Sequence, residues 1–201
     1  MKTRLFPYMS YEEAARLQKT LLDDTVDKAL AAPGTDVSIA YAPEGSLGLF
    51  RGLYGARIKD FFPQTGADLG ERMGRALERA FGMGYTKAAI IGSDIPALSP
   101  CLICAAFRRL ADHDVVIGPA VDGGYYLIAL KCPAPGLFAD IAWSGPEVLA
   151  ATVHKAEALG LKTSLLPALR DVDGPDDLRE FLTLPSPHFT GKIPRKWRER
   201  R

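Results

Sequence analysis

Cysteine is scarce in this 201-residue chain, and its count is odd: Cys101, Cys104 and Cys132. Three thiols do not make a disulfide framework, and such low usage fits a reducing cytoplasm. No apolar run approaches the ~18 residues needed to span a bilayer, and the N-terminal MKTRLFPYMS lacks the apolar core of a signal peptide. Histidine is equally sparse. His113, His154 and His188 lie far apart, so no Ser/His/Asp or Cys/His triad is laid out along the sequence. Cys101-Leu-Ile-Cys104 has redox-motif spacing, but its intervening residues are apolar and no second pair accompanies it, so helix packing is the simpler reading. Internal repeats and interior low-complexity linkers are also missing. What remains is 47% hydrophobic and 24% charged, a globular composition able to bury a core, and one domain is the default at this length.

The net charge of +1 conceals an asymmetry. Residues 185–201, PSPHFTGKIPRKWRERR, hold six Lys/Arg and one acid, a local +5 that leaves −4 on the preceding residues. The tail has little apolar content and is expected to be a basic, flexible segment outside a domain spanning residues 1–184. Weak contact with a membrane surface is one use for it, and a solvated terminus is the plain alternative. A nucleic-acid partner is not expected.

Hydrophobic spacing and punctuation predict the elements. Ser10 with Glu13 forms a capping box ahead of a helix from Tyr11 to about Ala31, stopped by Pro33-Gly34. A strand follows from Val37 to Ala42. Leu47 to Tyr54 is ambiguous because of its glycines, and Ile58 to Phe62 reads as a strand. Asp68 to Phe81 has a helical apolar face. Lys87 to Gly92 is a nearly unbroken apolar run, as expected of a central parallel strand covered on both faces. Ser99-Pro100 starts a helix to about Ala111, and Ser144 with Glu147 caps another to about Leu159. Asp114 to Gly118, Tyr125 to Leu130 and Leu161 to Leu166 read as strands, and Asp173 opens a last helix to about Leu184. Strands alternating with helices predict an α/β fold around a mostly parallel sheet.

The stretch GPAVDGGYYL, from Gly118 to Leu127, carries the strongest local signal. An acid followed by two glycines, between two apolar strands, is a tight loop in which packing demands no carboxylate. A solvated turn is the competing reading. In open α/β sheets ligands bind beyond the carboxyl ends of the strands, and three acidic positions fall there: Asp94 in GSDIP, Asp122, and the Asp171/Asp173 pair in RDVDGPDDL. Mg²⁺ or Mn²⁺ takes one or two carboxylates plus phosphate and water oxygens, which suits this inventory better than zinc. An Asx-turn for Asp94 and an N-cap for Asp173 are the structural alternatives. Lys2, Arg4 and Arg72 are candidate phosphate partners. Asp68-Leu69-Gly70 either directs backbone N–H groups toward a nucleotide or simply caps its helix.

Taken together, KTRL at 2–5, DLGERM at 68–73, GSDIP at 92–96, GPAVDGGYYL at 118–127, WSGPEV at 143–148 and DVDGPDDL at 171–178 resemble the bacterial GT-A-like glycosyltransferases of the rSAM/selenodomain-associated transferase type. More distantly the chain is similar to guanylyl- and cytidylyltransferases of the nucleotide-diphospho-sugar transferase superfamily. The resemblance implies a Rossmann-like GT-A three-layer sandwich, a nucleotide or nucleotide-sugar substrate and a divalent metal. On it, Asp94 and Asp173 would be metal ligands, and Asp122 the catalytic-site carboxylate that binds sugar or acceptor hydroxyls or acts as general base. Lys2, Arg4, Asp68, Leu69, Arg72 and Ser93 would lie at the nucleotide and its phosphates, and Gly123, Gly124, Tyr125 and Trp143 at the substrate.

Two departures from the pattern stand out. Gly92 occupies the first position of an Asp-any-Asp metal motif, which keeps a nucleotidyltransferase releasing pyrophosphate in view beside the glycosyltransferase. Family members also carry an apolar strand and a Pro/Gly-rich loop ahead of the KTRL segment, whereas here Met1 stands directly before Lys2. The resemblance therefore implies that the first strand is absent. The natural protein is expected to start some 15 to 20 residues upstream, enough for a strand of about 5–6 residues and its loop. A non-catalytic nucleotide-binding remnant is the other outcome of such a loss.

Overall fold

Ser10 begins the first helix in the manner its sequence predicts. Its hydroxyl accepts the Glu13 N–H at 3.2 Å while the Glu13 carboxylate accepts the Ser10 N–H at 2.9 Å, so two donors that the helix leaves unpaired are satisfied at once. In this computed structural model, which describes residues 9–143, 145–174 and 176–178, that helix is α1 (Tyr11–Leu30). It leads into β1 (Ser38–Tyr41), α2 (Leu47–Tyr54), β2 (Asp60–Pro63), α3 (Leu69–Gly82) and β3 (Ala88–Ile91). There follow α4 (Pro100–Arg109), β4 (Val115–Pro119), β5 (Tyr125–Leu130), α5 (Val148–Ala158) and β6 (Thr163–Leu165). Among the described residues no helix is long and apolar enough to cross a membrane.

Strand alternation builds two cores on opposite faces of one sheet. Val116, Leu127 and Ala129 point toward α1 and α4, where they pack with Ala29, Ile103 and Ala106. Val115, Ile117, Ile128 and Leu130 point the other way, onto Met73 and Leu77 of α3 and Ala156 of α5. A strand buried on both faces must be apolar throughout, and every residue of β4 is buried. The result is the expected helix–sheet–helix arrangement.

The strand order is β3-β5-β4-β6 in one sheet and β1-β2 in a second. β1 with β2 and β4 with β6 pair parallel, while β5 runs antiparallel to both β3 and β4. Within the four-stranded sheet β3, β4 and β6 therefore share one direction, with β5 reversed. This corrects the expectation for the Lys87–Gly92 run. β3 is covered on its faces as expected, but its one partner is antiparallel, and its other edge is unpaired among the described residues. A continuous apolar run reports burial, not the direction of the neighbour.

Three further expectations shift. The ambiguous Leu47 to Tyr54 is helical, and the Ile58 to Phe62 strand lies two residues later, at β2. Helix α5 starts at Val148 with Glu147 at its cap and no side-chain capping bond, later than a Ser144 cap would place it, and Ser144 itself lies outside the described residues. The last helix is described only at residues 176–178. There the Asp177 carboxylate accepts the N–H groups of Asp173 (3.3 Å) and Gly174 (2.8 Å). The rest of that helix, and the basic tail, lie outside the described residues.

Candidate active site

Backbone register brings the acidic residues together. Beyond the end of β4, Ala120 bridges Leu169 in parallel, held by the Val121 N–H to Leu169 oxygen (2.9 Å) and the Leu169 N–H to Pro119 oxygen (3.0 Å). Two residues past that bridge on each strand stand Asp122 and Asp171. The extended chain then returns a side chain to the same face at Asp173. One carboxylate oxygen from each of Asp122, Asp171 and Asp173 lies within 4.8 Å of the others. Asp94 joins from the end of β3, its carbonyl accepting the Val172 N–H at 3.0 Å between the two other acids. All four line one cleft.

Such crowding has an electrostatic signature. The Asp171 carboxyl is pushed up to about 6, first by burial and then by the charges of Asp122, Asp173 and Asp94. A divalent cation relieves both causes, since oxygen donors of this kind are what Mg²⁺ and Mn²⁺ take. The donor set therefore fits the expected metal.

The turn that carries Asp122 is built by its neighbours. The Gly124 N–H donates to Asp122 Oδ1 at 3.0 Å, and the Gly123 N–H closes onto the Ala120 oxygen at 3.2 Å. Gly123 has φ +94°, and a β-carbon there would lie 2.0 Å from the Pro146 carbonyl oxygen. Only glycine meets both demands. Helix α5 is fastened to the same turn through the Leu149 N–H and the Gly123 oxygen, 2.9 Å.

The other expected residues are distributed as follows. Tyr125 and Trp143 meet edge to face at 6.5 Å between centroids and 83°, and both line the cleft. Burial pushes the Tyr125 hydroxyl well above the usual phenol range. The indole Nε1 of Trp143 is buried with no hydrogen-bond partner among the described residues. Asp68 caps α3, accepting the Glu71 N–H at 2.8 Å, so its side chain is engaged in the helix. Leu69 is exposed beside it, and Arg72 donates through Nε to the Gly66 oxygen at 3.2 Å while lining the cleft. The Ser93 hydroxyl accepts from the Gln18 amide at 3.5 Å. Lys2 and Arg4 lie outside the described residues. The sequence pattern places Asp171 at a strand end without assigning it a role. The available signal was its i, i+2 spacing from Asp173 in an extended segment.

Residues 25–145 match the family described as "Uncharacterized protein conserved in bacteria (DUF2064)". No curated protein matches the chain. Among solved structures it is similar to a "putative nucleotide-diphospho-sugar transferase" from Desulfovibrio desulfuricans G20, at 36% identity and a TM-score of 0.84, covering 91% of this chain and 80% of that one. It shares its fold with Rv0371c from Mycobacterium tuberculosis H37Rv, at 18% identity and TM-score 0.56 over 82% of this chain and 84% of the other. The same holds for CMP:2-keto-3-deoxy-manno-octonic acid synthetase complexed with CTP, at 13% identity and TM-score 0.54 over 80% and 85%. The chain belongs to the bacterial DUF2064 family and carries the Rossmann-like α/β fold of the nucleotide-diphospho-sugar transferases.

Proposed function

We propose that this protein is a transferase that uses a nucleotide-sugar donor and requires Mg²⁺ or Mn²⁺. The observation that supports it most directly is the convergence of Asp122, Asp171 and Asp173 within 4.8 Å, with Asp94 alongside, at the carboxyl edge of the sheet. The name carried by the 36%-identical Desulfovibrio protein agrees with it.

In this reading Asp94, Asp171 and Asp173 hold the cation, whose chemistry is to neutralise charge on the leaving nucleoside diphosphate. Asp122, fixed by its turn, orients a sugar or acceptor hydroxyl and takes its proton. Gly123 and Gly124 let the substrate approach the backbone, and Tyr125 and Trp143 supply an apolar wall for the sugar. Arg72, with Lys2 and Arg4, steadies phosphates, while Ser93, Leu69 and the Asp68-capped start of α3 border the nucleotide.

The test is release of nucleoside diphosphate across a panel of nucleotide-sugars, with and without Mg²⁺ or Mn²⁺. Cation-dependent release supports the reading. Gly92, at a position where an Asp-any-Asp motif has its first acid, favours one rival, a nucleotidyltransferase. Pyrophosphate released from a nucleoside triphosphate selects that rival. Nucleotide binding without turnover of either kind leaves a non-catalytic binding protein.

A further inference from the structure

The inward stripe of α1 is apolar until its last two turns. Ala14, Leu17 and Leu21 are buried on it, and the same helical spacing continues to Asp24 and Lys28. Asp24 is as deeply placed as its apolar neighbours, with 1% of its side chain exposed, and Lys28 keeps 14%. Two charges therefore stand where the helix pattern calls for apolar residues. Neither side chain lines the cleft.

The pair reaches a loop that does. Lys28 Nζ donates to the Asp24 carboxylate and, at 2.7 Å, to the carbonyl oxygen of Pro96. Pro96 belongs to the connection between β3 and α4 that carries Asp94. This connection has no regular ladder to hold it. The Gly92 N–H reaches the Tyr126 oxygen (2.8 Å), the Leu98 N–H turns back to the Ile95 oxygen (3.0 Å), and the Asp94 oxygen accepts the Val172 N–H (3.0 Å). Pro96 has no N–H of its own, and Lys28 gives its carbonyl a charged donor, which binds more strongly than a neutral one. On either side of that bond Ile95 and Leu98 are sunk, at 2% and 1% exposure, in the core that includes Ala29 of α1. The loop is thus seated at Ile95, Pro96 and Leu98, and the seat begins at the residue directly after Asp94.

Stability alone gives no reason for a charged seat. The desolvation of two buried ions offsets much or all of their attraction, and apolar residues of similar size are often as stable in their place. Leucine and methionine would continue the stripe of Ala14, Leu17 and Leu21. They would not supply a directional bond to Pro96. Apolar contacts let a loop slide, whereas a donor fixed on a long helix sets where the loop stops. A cation site needs that, because its ligands must be held to within about 0.5 Å. Asp94 needs it most: Asp122, Asp171 and Asp173 come from two segments joined by the Ala120–Leu169 bridge, while Asp94 arrives separately from β3.

We propose that Lys28, with Asp24 as its counter-ion, is a positioning residue of the acidic site. It fixes the 95–98 seat and thereby sets Asp94 against Asp171 and Asp173. It touches neither cation nor substrate. The inference rests on the proposed function only in taking Asp94 as a cation ligand.

The test removes both charges together, because Lys28→Met alone would strand a buried carboxylate. The double variant Asp24→Leu/Lys28→Met is expected to melt within about 5 °C of the wild type. It is expected to bind Mn²⁺, followed by the paramagnetic resonance of the free ion, about tenfold more weakly. Its Val172 amide, bonded to the Asp94 oxygen, is expected to exchange with solvent about tenfold faster or more, by local opening. The Ile117 and Ile128 amides of the central strands should exchange as before. Asp24→Asn/Lys28→Met, nearer the native shape, is expected to show the same two changes. Unchanged Val172 exchange overturns the proposal. So does a melting temperature lowered by more than about 5 °C with all three amides opening together, which makes the pair a general stabiliser. Full Mn²⁺ affinity in a variant whose Val172 amide has loosened overturns it as well. The exchange measurement needs no cation. A wild type that binds no Mn²⁺ therefore refutes the proposed function, while Val172 still decides whether Lys28 holds the loop.

Discussion

The indole of Trp143 occupies the space in which residue 70 would carry a β-carbon: one built on Gly70 lies 2.5 Å from Trp143 Cζ2 and 2.7 Å from the Phe138 carbonyl oxygen. Gly70 is buried in the first turn of α3, where alanine would ordinarily gain about 1 kcal/mol in helix propensity. Overpacking against an indole and a fixed carbonyl opposes that gain with about 1–3 kcal/mol. Gly70→Ala is expected to lower the melting temperature and to change the Trp143 fluorescence. A variant melting at or above the wild type shows that the indole moves aside freely.

Gly52 provides the opposite case. It lies exposed in α2, and a β-carbon there meets nothing within 4 Å. Gly52→Ala is expected to stabilise by about 0.5–1 kcal/mol, chiefly by restricting the unfolded chain. A thermal melt shifted upward by roughly 2–4 °C is the corresponding reading, and a downward shift would contradict it.

Asp171 should make stability fall as pH rises through weakly acidic values. Its carboxyl sits near 6 in the fold against an ordinary 3.8. The folded state thus binds the proton more tightly, and the stabilisation present below about 4 is lost as pH rises through about 6. Urea midpoints between pH 4 and 7 should show wild type losing ground to Asp171→Asn over that window. Parallel curves would remove the argument. Mn²⁺ at pH 7 should raise the wild-type midpoint more than that of the variant, because a ligand bound only by the fold stabilises by mass action.

Asp94→Asn keeps size and a hydrogen-bonding oxygen while deleting a charge. Cation-dependent nucleoside diphosphate release should disappear, with the melting temperature moved by less than about 5 °C. A larger fall assigns Asp94 a structural duty instead.

The elements most legible in the sequence are those whose signals are local. Ser10 and Glu13 sit three residues apart and close a capping box, and Ser99 with Pro100 marks the start of α4 in the same way. α2 was hidden because Gly48 and Gly52 oppose helix formation, and it is contact among Tyr54, Ile58 and Val26 that settles it. The strand partners of β3 depend on residues some forty positions away, which no window of sequence contains. The acids Asp94, Asp122 and Asp173 could be located from strand ends. The load on Asp171 comes from burial and from three charges that are remote in sequence, so spacing alone did not reveal it.

If the proposed function holds, four carboxylates facing one opening also govern the order of events there. A bare diphosphate meets a repulsive field before it touches anything, and low-dielectric walls focus that field at the mouth. Under the proposed function, the productive encounter would be with a cation already seated, or with a nucleotide that arrives carrying its own. Raising the ionic strength should speed entry of the bare anion by screening the mouth, since the Debye length contracts to about 8 Å at 0.15 M salt. It should leave entry of the nearly neutral cation–nucleotide complex almost unchanged. On the proposed reading, Asp94, Asp122, Asp171 and Asp173 would act as a kinetic filter as well as a ligand set.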